Sequence, residues 1–205
     1  MIEAEGERGD LYTRSAIPGT RVTATLVRWK VTARGPLRAE LTCDWRLAIP
    51  ERHLTSAAGV PRRAPALRQE LRTVIQVDAG ASFVRVLLSG DNAATDVRLR
   101  IGVRTGITSP RVFADAAFGT VAREPVVGES SREVSPGTAP LHRYVSAFDD
   151  ARGATLYSDG LAEYELGGDG ICWVTLLRAV GELSRHNLPE RPGHAGYPVV
   201  TPAAR

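Results

Sequence analysis

Residues 37 to 49 limit the fold more than any other stretch. Leu37, Ala39, Leu41, Cys43, Trp45, Leu47 and Ile49 alternate with Arg38, Glu40, Thr42, Asp44, Arg46 and Ala48. Successive side chains of an extended chain point to opposite faces, so the alternation predicts one long strand, buried on one face. Gly35-Pro36 opens it with a turn and Pro50 closes it. The looser alternation of residues 22–31 predicts a hairpin partner.

The rest of the chain reads mostly as strands. Leu67 to Val77 fits one face of a helix or of a strand, and its β-branched content favours the strand. Residues 83–89 make another. Val97, Leu99, Ile101 and Val103 alternate with Arg98, Arg100 and Arg104, which predicts a strand with one wet face. Residues 129–139 (ESSREVSPGTA) are polar with Pro and Gly, and predict a surface loop. Strands are expected again at 141–148, 154–157, 161–166 and 171–177. The last is apolar on both faces, Ile171, Trp173 and Leu177 against Cys172, Val174 and Leu176, as in the middle of a sandwich. Many strands without a convincing helix predict an all-β, large antiparallel β-sandwich spanning 1–205 as a single domain. Leu41, Trp45, Leu99, Ile101, Trp173, Val174 and Leu176 are its expected core, and all three tryptophans are expected inside.

Charge argues against nucleic acid. The net charge is +3, Lys30 is the only lysine, and the arginines are spread without a five-residue basic cluster. No apolar run approaches the ~18 residues of a membrane span. The opening MIEAEGERGD is acidic and polar, unlike a signal peptide. Cys43 and Cys172 sit in apolar strands and read as buried reduced thiols, so a cytoplasmic location is expected.

Catalytic motifs are missing. There is no Gly-rich phosphate cradle and no Gly-x-Ser-x-Gly elbow. His53, His142, His186 and His194 lie singly. His186 and His194 share a loop region with Glu190 but lack the tight spacing of metal ligands, so both read as surface loop residues. Glu163 and Glu165 are two apart on a strand, about 6.5 Å by strand geometry, near a glycosidase carboxylate pair. Two acids facing the same way cannot flank a sugar, so they read as a solvated face.

Four segments in order resemble one family. They are GERGDLYTRSAIPG near the start, GDNAATDVRLRIGVRTGI in the middle, and VFADAAFGTVARE through Asp115, Phe118, Gly119 and Arg123. The fourth is the end, where a Gly-Gly-Asp-Gly turn and an apolar strand lead to Leu176, Leu177, Arg178, Gly181, Arg191, Pro192 and Gly193. Together they resemble the C-terminal part of bacterial α-mannosidases of glycoside hydrolase family 38, the mannosylglycerate-hydrolase-like branch. The chain departs from the pattern between Tyr12 and Pro18, at Val97 where the family has His, and at Arg205.

The resemblance implies a galactose-mutarotase-like supersandwich that completes a hydrolase of α-mannosidic bonds. It implies a partner, the catalytic barrel, that holds the zinc ion and the nucleophilic aspartate. This chain then has no catalytic residue, no metal ligand and no cofactor of its own, and is inactive alone. It also implies that Tyr12 and Arg178, with Arg191, line the rim of the sugar site and bind an α-mannoside. The alternative for these residues is structural, with Tyr12 packing the first strand and Arg178 pairing with a carboxylate. A second alternative is a free-standing carbohydrate-binding sandwich, which needs an exposed aromatic platform. Cut from its barrel, the piece is expected to expose an apolar surface and to self-associate.

Overall fold

The computed structural model describes residues 1–50, 53–55, 61–63, 66–108, 110–123, 134 and 137–195. Among them the chain forms strands and turns, with no helix. In chain order the strands are β1 (Ile2–Gly6), β2 (Val22–Thr23), β3 (Thr25–Arg34), β4 (Arg38–Pro50), β5 (His53–Thr55) and β6 (Pro61–Arg63). Next come β7 (Ala66–Asp78), β8 (Arg85–Gly90), β9 (Val97–Arg104), β10 (Arg111–Ala116), β11 (Gly119–Arg123) and β12 (Thr138–Pro140). The last are β13 (Tyr144–Phe148), β14 (Gly153–Tyr157), β15 (Glu163–Leu166), β16 (Ile171–Ala179), β17 (Asn187–Leu188) and β18 (Arg191–Pro192).

Three sheets carry the all-β sandwich. The largest has six strands in the order β12-β15-β16-β9-β1-β2. Two four-stranded sheets, β3-β4-β7-β8 and β11-β10-β13-β14, pack on its apolar face, one towards each end. The first contact joins Ile2, Ala4, Val97 and Leu99 to Leu47, Ile49 and Leu71. The second joins Tyr164, Cys172 and Val174 to Val112, Ala114 and Val145. Ile101 packs against both. The alternating segment that predicts a long strand is β4, paired along its length with β7 and forming a hairpin with β3. Cys43 and Cys172 are buried free thiols, and burial pushes the Cys172 thiol up to about 12.

The opposite face of the six-stranded sheet overturns the wet-face reading of β9. Arg98 is 1% exposed and Arg100 is buried with it. Register puts Glu3 opposite Arg100 and Glu5 opposite Arg98 on neighbouring β1, and Thr175 opposite Arg100 on β16. Arg100 meets Glu3 at 2.5 Å and Glu165 at 2.7 Å, while its guanidinium lies 4.3 Å from the Trp173 ring centroid. Arg98 meets Glu163 at 3.0 Å and Glu165 at 3.1 Å, and donates to the Thr175 hydroxyl. Gly102 lets the Trp173 ring lie flat, since a Cβ there would come within 2.6 Å of it. Glu163 and Glu165 are therefore not a solvated face: each is spent on a buried arginine. The acidic opening contains an interior strand, β1, with Ile2 and Ala4 in the core and Glu3 and Glu5 in the ion layer.

Three further expectations change. Residues 129–133, 135 and 136 of the expected loop lie outside the described residues. Thr138 and Ala139 leave that loop to open β12, an edge strand on β15 where Pro140 costs no interior ladder bond. Leu41, Trp45, Ile101 and Leu176 are half-buried, whereas Leu99, Trp173 and Val174 are buried. Trp29 is 63% exposed, because the apolar face of its sheet runs on past the sheet it packs against.

Acid should weaken the ion layer at Glu163 and Glu5. Burial alone would raise the Glu163 carboxyl, but the Thr175 hydroxyl and Arg98 hold it below its usual 4.5. Glu5 is likewise held down by Arg14 and Arg21 against the effect of burial. A carboxyl depressed in the folded state adds stability above its unfolded pKa and loses it as pH falls through the folded value. The urea midpoint should therefore fall as pH drops below about 4.5. Glu163→Gln should be less stable than wild type at pH 7, with the gap narrowing as pH falls below about 4.5. A gap that does not depend on pH would count against the ion layer.

Candidate functional site

The ion layer continues beyond β1 into a corner built by residues 7–20. Glu7 keeps the period-two spacing of Glu3 and Glu5, and its backbone bridges to Ala16. Its amide donates to Asp96 O at 2.8 Å, and the Asp96 amide donates to Ala179 O. The chain turns sharply at Gly9, where a Cβ would sit 2.3 Å from Thr13 O and 2.6 Å from the Glu7 carboxylate. Only glycine fits there. Asp10 follows, fully buried, and its Oδ1 accepts from the amides of Tyr12 (2.9 Å) and Thr13 (2.7 Å). That closes a tight turn with Leu11 and Tyr12 at its tip.

A bulge in β16 delivers Arg178 to this turn. Thr175 faces Arg100, Leu177 faces Leu99 and Arg178 faces Arg98, so Leu176 is the extra residue. Without it, alternation would put Leu177 on the charged face, and the bulge re-aims the strand end. Arg178 then binds Glu7 with two bonds, Nε to Oε2 at 3.0 Å and Nη2 to Oε1 at 2.5 Å. Nη2 also donates to Asp10 O at 2.7 Å. Among the described residues, Nη1 of Arg178 has no hydrogen-bond acceptor.

Arg191 completes the corner from β18. Its Nη2 meets Asp10 Oδ2 at 2.5 Å, its Nε donates to Thr13 Oγ1 at 2.8 Å, and its Nη1 donates to Gly193 O. The Arg185 amide donates to Asp10 Oδ2 at 2.7 Å, and Arg185 Nη1 donates to Arg8 O. The Asp10 carboxylate thus receives three amides and one guanidinium.

The structure brings Tyr12, Arg178 and Arg191 to one corner with unequal exposure. Tyr12 is 57% exposed, so it does not pack against the first strand. Arg178 is mostly buried and paired with a carboxylate, as the structural alternative has it. Arg191 is buried, with every guanidinium nitrogen bonded. Both arginines hold the turn that carries the tyrosine. Glu7, Gly9 and Asp10 enter the sequence reading only as part of the segment GERGDLYTRSAIPG; the roles of Glu7 and Arg185 are missed there, although the period-two acids Glu3, Glu5 and Glu7 carry the signal.

Other flagged residues have separate tasks. The Asp115 carboxylate is held low by the amides of Arg143, Tyr144 and His142, which outweigh its desolvation. It ties the start of β13 to β10. Phe118 stands fully exposed at the β10–β11 hairpin tip. His186 and His194 are exposed with ring centroids 5.3 Å apart. Among the described residues no three His, Cys, Asp or Glu side chains converge as metal ligands, so these residues do not fit a zinc ion.

A fold similar to this sandwich occurs in two solved structures. An α-mannosidase from Enterococcus faecalis V583 matches 98% of this chain with a TM-score of 0.79 at 21% identity. A second E. faecalis protein, of glycosyl hydrolase family 38, matches 93% with a TM-score of 0.75 at 20% identity. The chain has the fold of a family 38 segment. In sequence it is 34% identical over 122 residues, 60% of its length, to a Halalkalibacterium halodurans protein named "Putative mannosylglycerate hydrolase". No family model matches the chain. The chain spans 23% and 24% of the two structures and 13% of the sequence relative.

The corner predicts two unlike mutants. Arg191→Met leaves the buried Asp10 carboxylate without its cation and should destabilise the fold by about 3–5 kcal/mol. Tyr12→Ala removes an exposed ring and should change stability by no more than about 0.5 kcal/mol. Urea unfolding of both variants checks the contrast. Equal effects would contradict a turn held by the arginine and displaying the tyrosine.

Proposed function

We propose that this chain is the C-terminal β-sandwich domain of an α-mannosidase-like glycoside hydrolase and completes the rim of its sugar site. The hydrolase is retaining and zinc-dependent, its nucleophile and zinc ligands lie in a catalytic barrel outside this chain, and its bond is an α-mannosidic one. The observation that carries this reading is the exposed Tyr12 on a turn clamped from below by Arg178 and Arg191. The family 38 fold and the lengths of the relatives support it.

The corner suits a sugar hydroxyl pattern. Tyr12 offers a phenol that both donates and accepts, beside an apolar ring face. Arg178 adds the N–H groups of Nη1, already oriented by the two bonds to Glu7. Arg191 acts through Asp10 and Thr13 as a positioning residue. Because the turn is ordered before the ligand arrives, binding does not lose the entropy of fixing it.

Two measurements test the proposal. The isolated chain should not hydrolyse aryl α-mannosides with or without added zinc, and zinc-dependent turnover by the pure chain would sink it. An antibody raised against this chain should detect, in the source cells, a polypeptide several times the 22.0 kDa of these residues. A band at 22 kDa alone would favour the free-standing carbohydrate-binding sandwich.

A further inference from the structure

The outer face of the sheet β11-β10-β13-β14 differs in kind from its inner face. Inward, these strands present Val112, Ala114, Val145 and Leu156, an aliphatic set without a hydroxyl, packed on the six-stranded sheet. Outward, the register sets Phe148 opposite both Arg111 and Gly153, Ser146 opposite both Phe113 and Thr155, and Tyr144 opposite Tyr157. The rings gather in two pairs. Phe113 and Phe148 meet edge to face with centroids 6.3 Å apart, and Tyr144 and Tyr157 are tilted with centroids 5.9 Å apart. Gly153 makes room for the Phe148 ring, since a Cβ there would come within 2.4 Å of it.

Hydroxyls lie between and beside these pairs. Ser146 Oγ and Thr155 Oγ1 share a hydrogen bond of 2.9 Å, and the Tyr144 phenol bonds with Thr120 Oγ1. Each such pair uses one proton between its members, and the second proton and the remaining lone pairs are left for a ligand. Tyr157 is 76% exposed, and Thr155 and Phe148 are exposed with it. From Tyr144 to Phe148 the strand advances four residues, so the two aromatic stations stand about 13 Å apart along it. Arg111 pairs with Asp150 at one rim, and Asp115 binds backbone amides at the other, so the middle of the face is neutral.

We propose that this face is a binding platform for a neutral oligosaccharide, separate from the Tyr12 corner. A pyranose ring lays its C–H face on an aromatic ring and turns its hydroxyls to polar groups at the same level. Two aromatic stations with hydroxyls between them match that alternation, and their spacing calls for several linked rings, not one. A protein segment packed as on the inner face does not suit this surface. The same strands use aliphatic side chains for that kind of packing, and the hydroxyls here would lose water without gaining partners. This inference does not rest on the glycosidase reading, which is tested by turnover and by polypeptide length.

NMR titration of the isotope-labelled 205-residue chain tests it, with mannotriose, maltotriose and cellotriose as probes. Up to about 20 mM, at least one trisaccharide should shift the amides of Ser146, Thr155 and Tyr157 to saturation. Tyr157→Ala removes the exposed ring and should weaken binding about tenfold. Thr155→Val keeps the shape, removes the hydroxyl and should weaken binding about fivefold. Tyr12→Ala should leave binding unchanged. The spectra themselves report whether each variant is folded. No saturable shift with any of the three sugars overturns the proposal. So does binding that survives Tyr157→Ala, binding that Thr155→Val leaves unchanged or tightens, or binding that Tyr12→Ala abolishes.

Discussion

Everything else in this chain hangs on a layer of paired charges laid across one face of its central sheet. Glu3, Glu5, Glu163 and Glu165 are met there by Arg98, Arg100, Arg14 and Arg21. A buried ion pair is weak as a source of stability, because desolvation offsets most of its attraction. Its strength lies in the asymmetry: removing either partner strands a charge. The layer therefore acts on register. Slipping β1 by one residue against β9 would carry Glu3 and Glu5 into the apolar contact and turn Ile2 and Ala4 out among the arginines. Hydrophobic pairing alone would penalise that slip on one face; here both faces reject it.

The candidate site is the same chemistry carried one step further. Glu7 continues the acidic row past the end of β1, and the bulge at Leu176 turns Arg178 to meet it. Asp10 and Arg191 then repeat the pairing at the turn. Tyr12 is the first side chain along this line that the line does not consume. Its backbone is fixed by the bond from its amide to Asp10, and its side chain stands largely exposed. A binding surface built this way is rigid where it is attached and open where it would meet a ligand.

Alternation in the sequence made the strands legible, and β4, β7, β9 and β16 lie where the pattern put them. Alternation says that two faces differ, but not which one meets water. Arg98-x-Arg100 looks the same on a solvated face as in an ion layer, and the difference lies in Glu3-x-Glu5 and Glu163-x-Glu165, distant in sequence. Reading opposite-charge runs of matching period as candidate partners would have found both the layer and the strand hidden in MIEAEGERGD. The bulge was out of reach, since its cause is the pairing of Arg178 with Glu7, 171 residues apart in sequence. Trp29 was misplaced for a related reason. Its face is apolar, but coverage depends on how far the neighbouring sheet extends. The clustering of Tyr12, Arg178 and Arg191 entered through family resemblance, and no spacing in the chain would have joined them.

Two of the open surfaces of the molecule ask for different completions. The Tyr12 corner is small and polar, and its supporting charges are already neutralised, so a partner gains there only through geometry. The outer rim of the β3-β4-β7-β8 face, where Trp29, Val77 and Val86 are exposed, is apolar, so whatever covers it gains through area, roughly 25 cal/mol for each Å² removed from water. Area tolerates many occupants and geometry tolerates few. Loss of a charge in the ion layer would reach both: it frees the register of β1, which packs on β4 on one side and leads directly into the turn on the other.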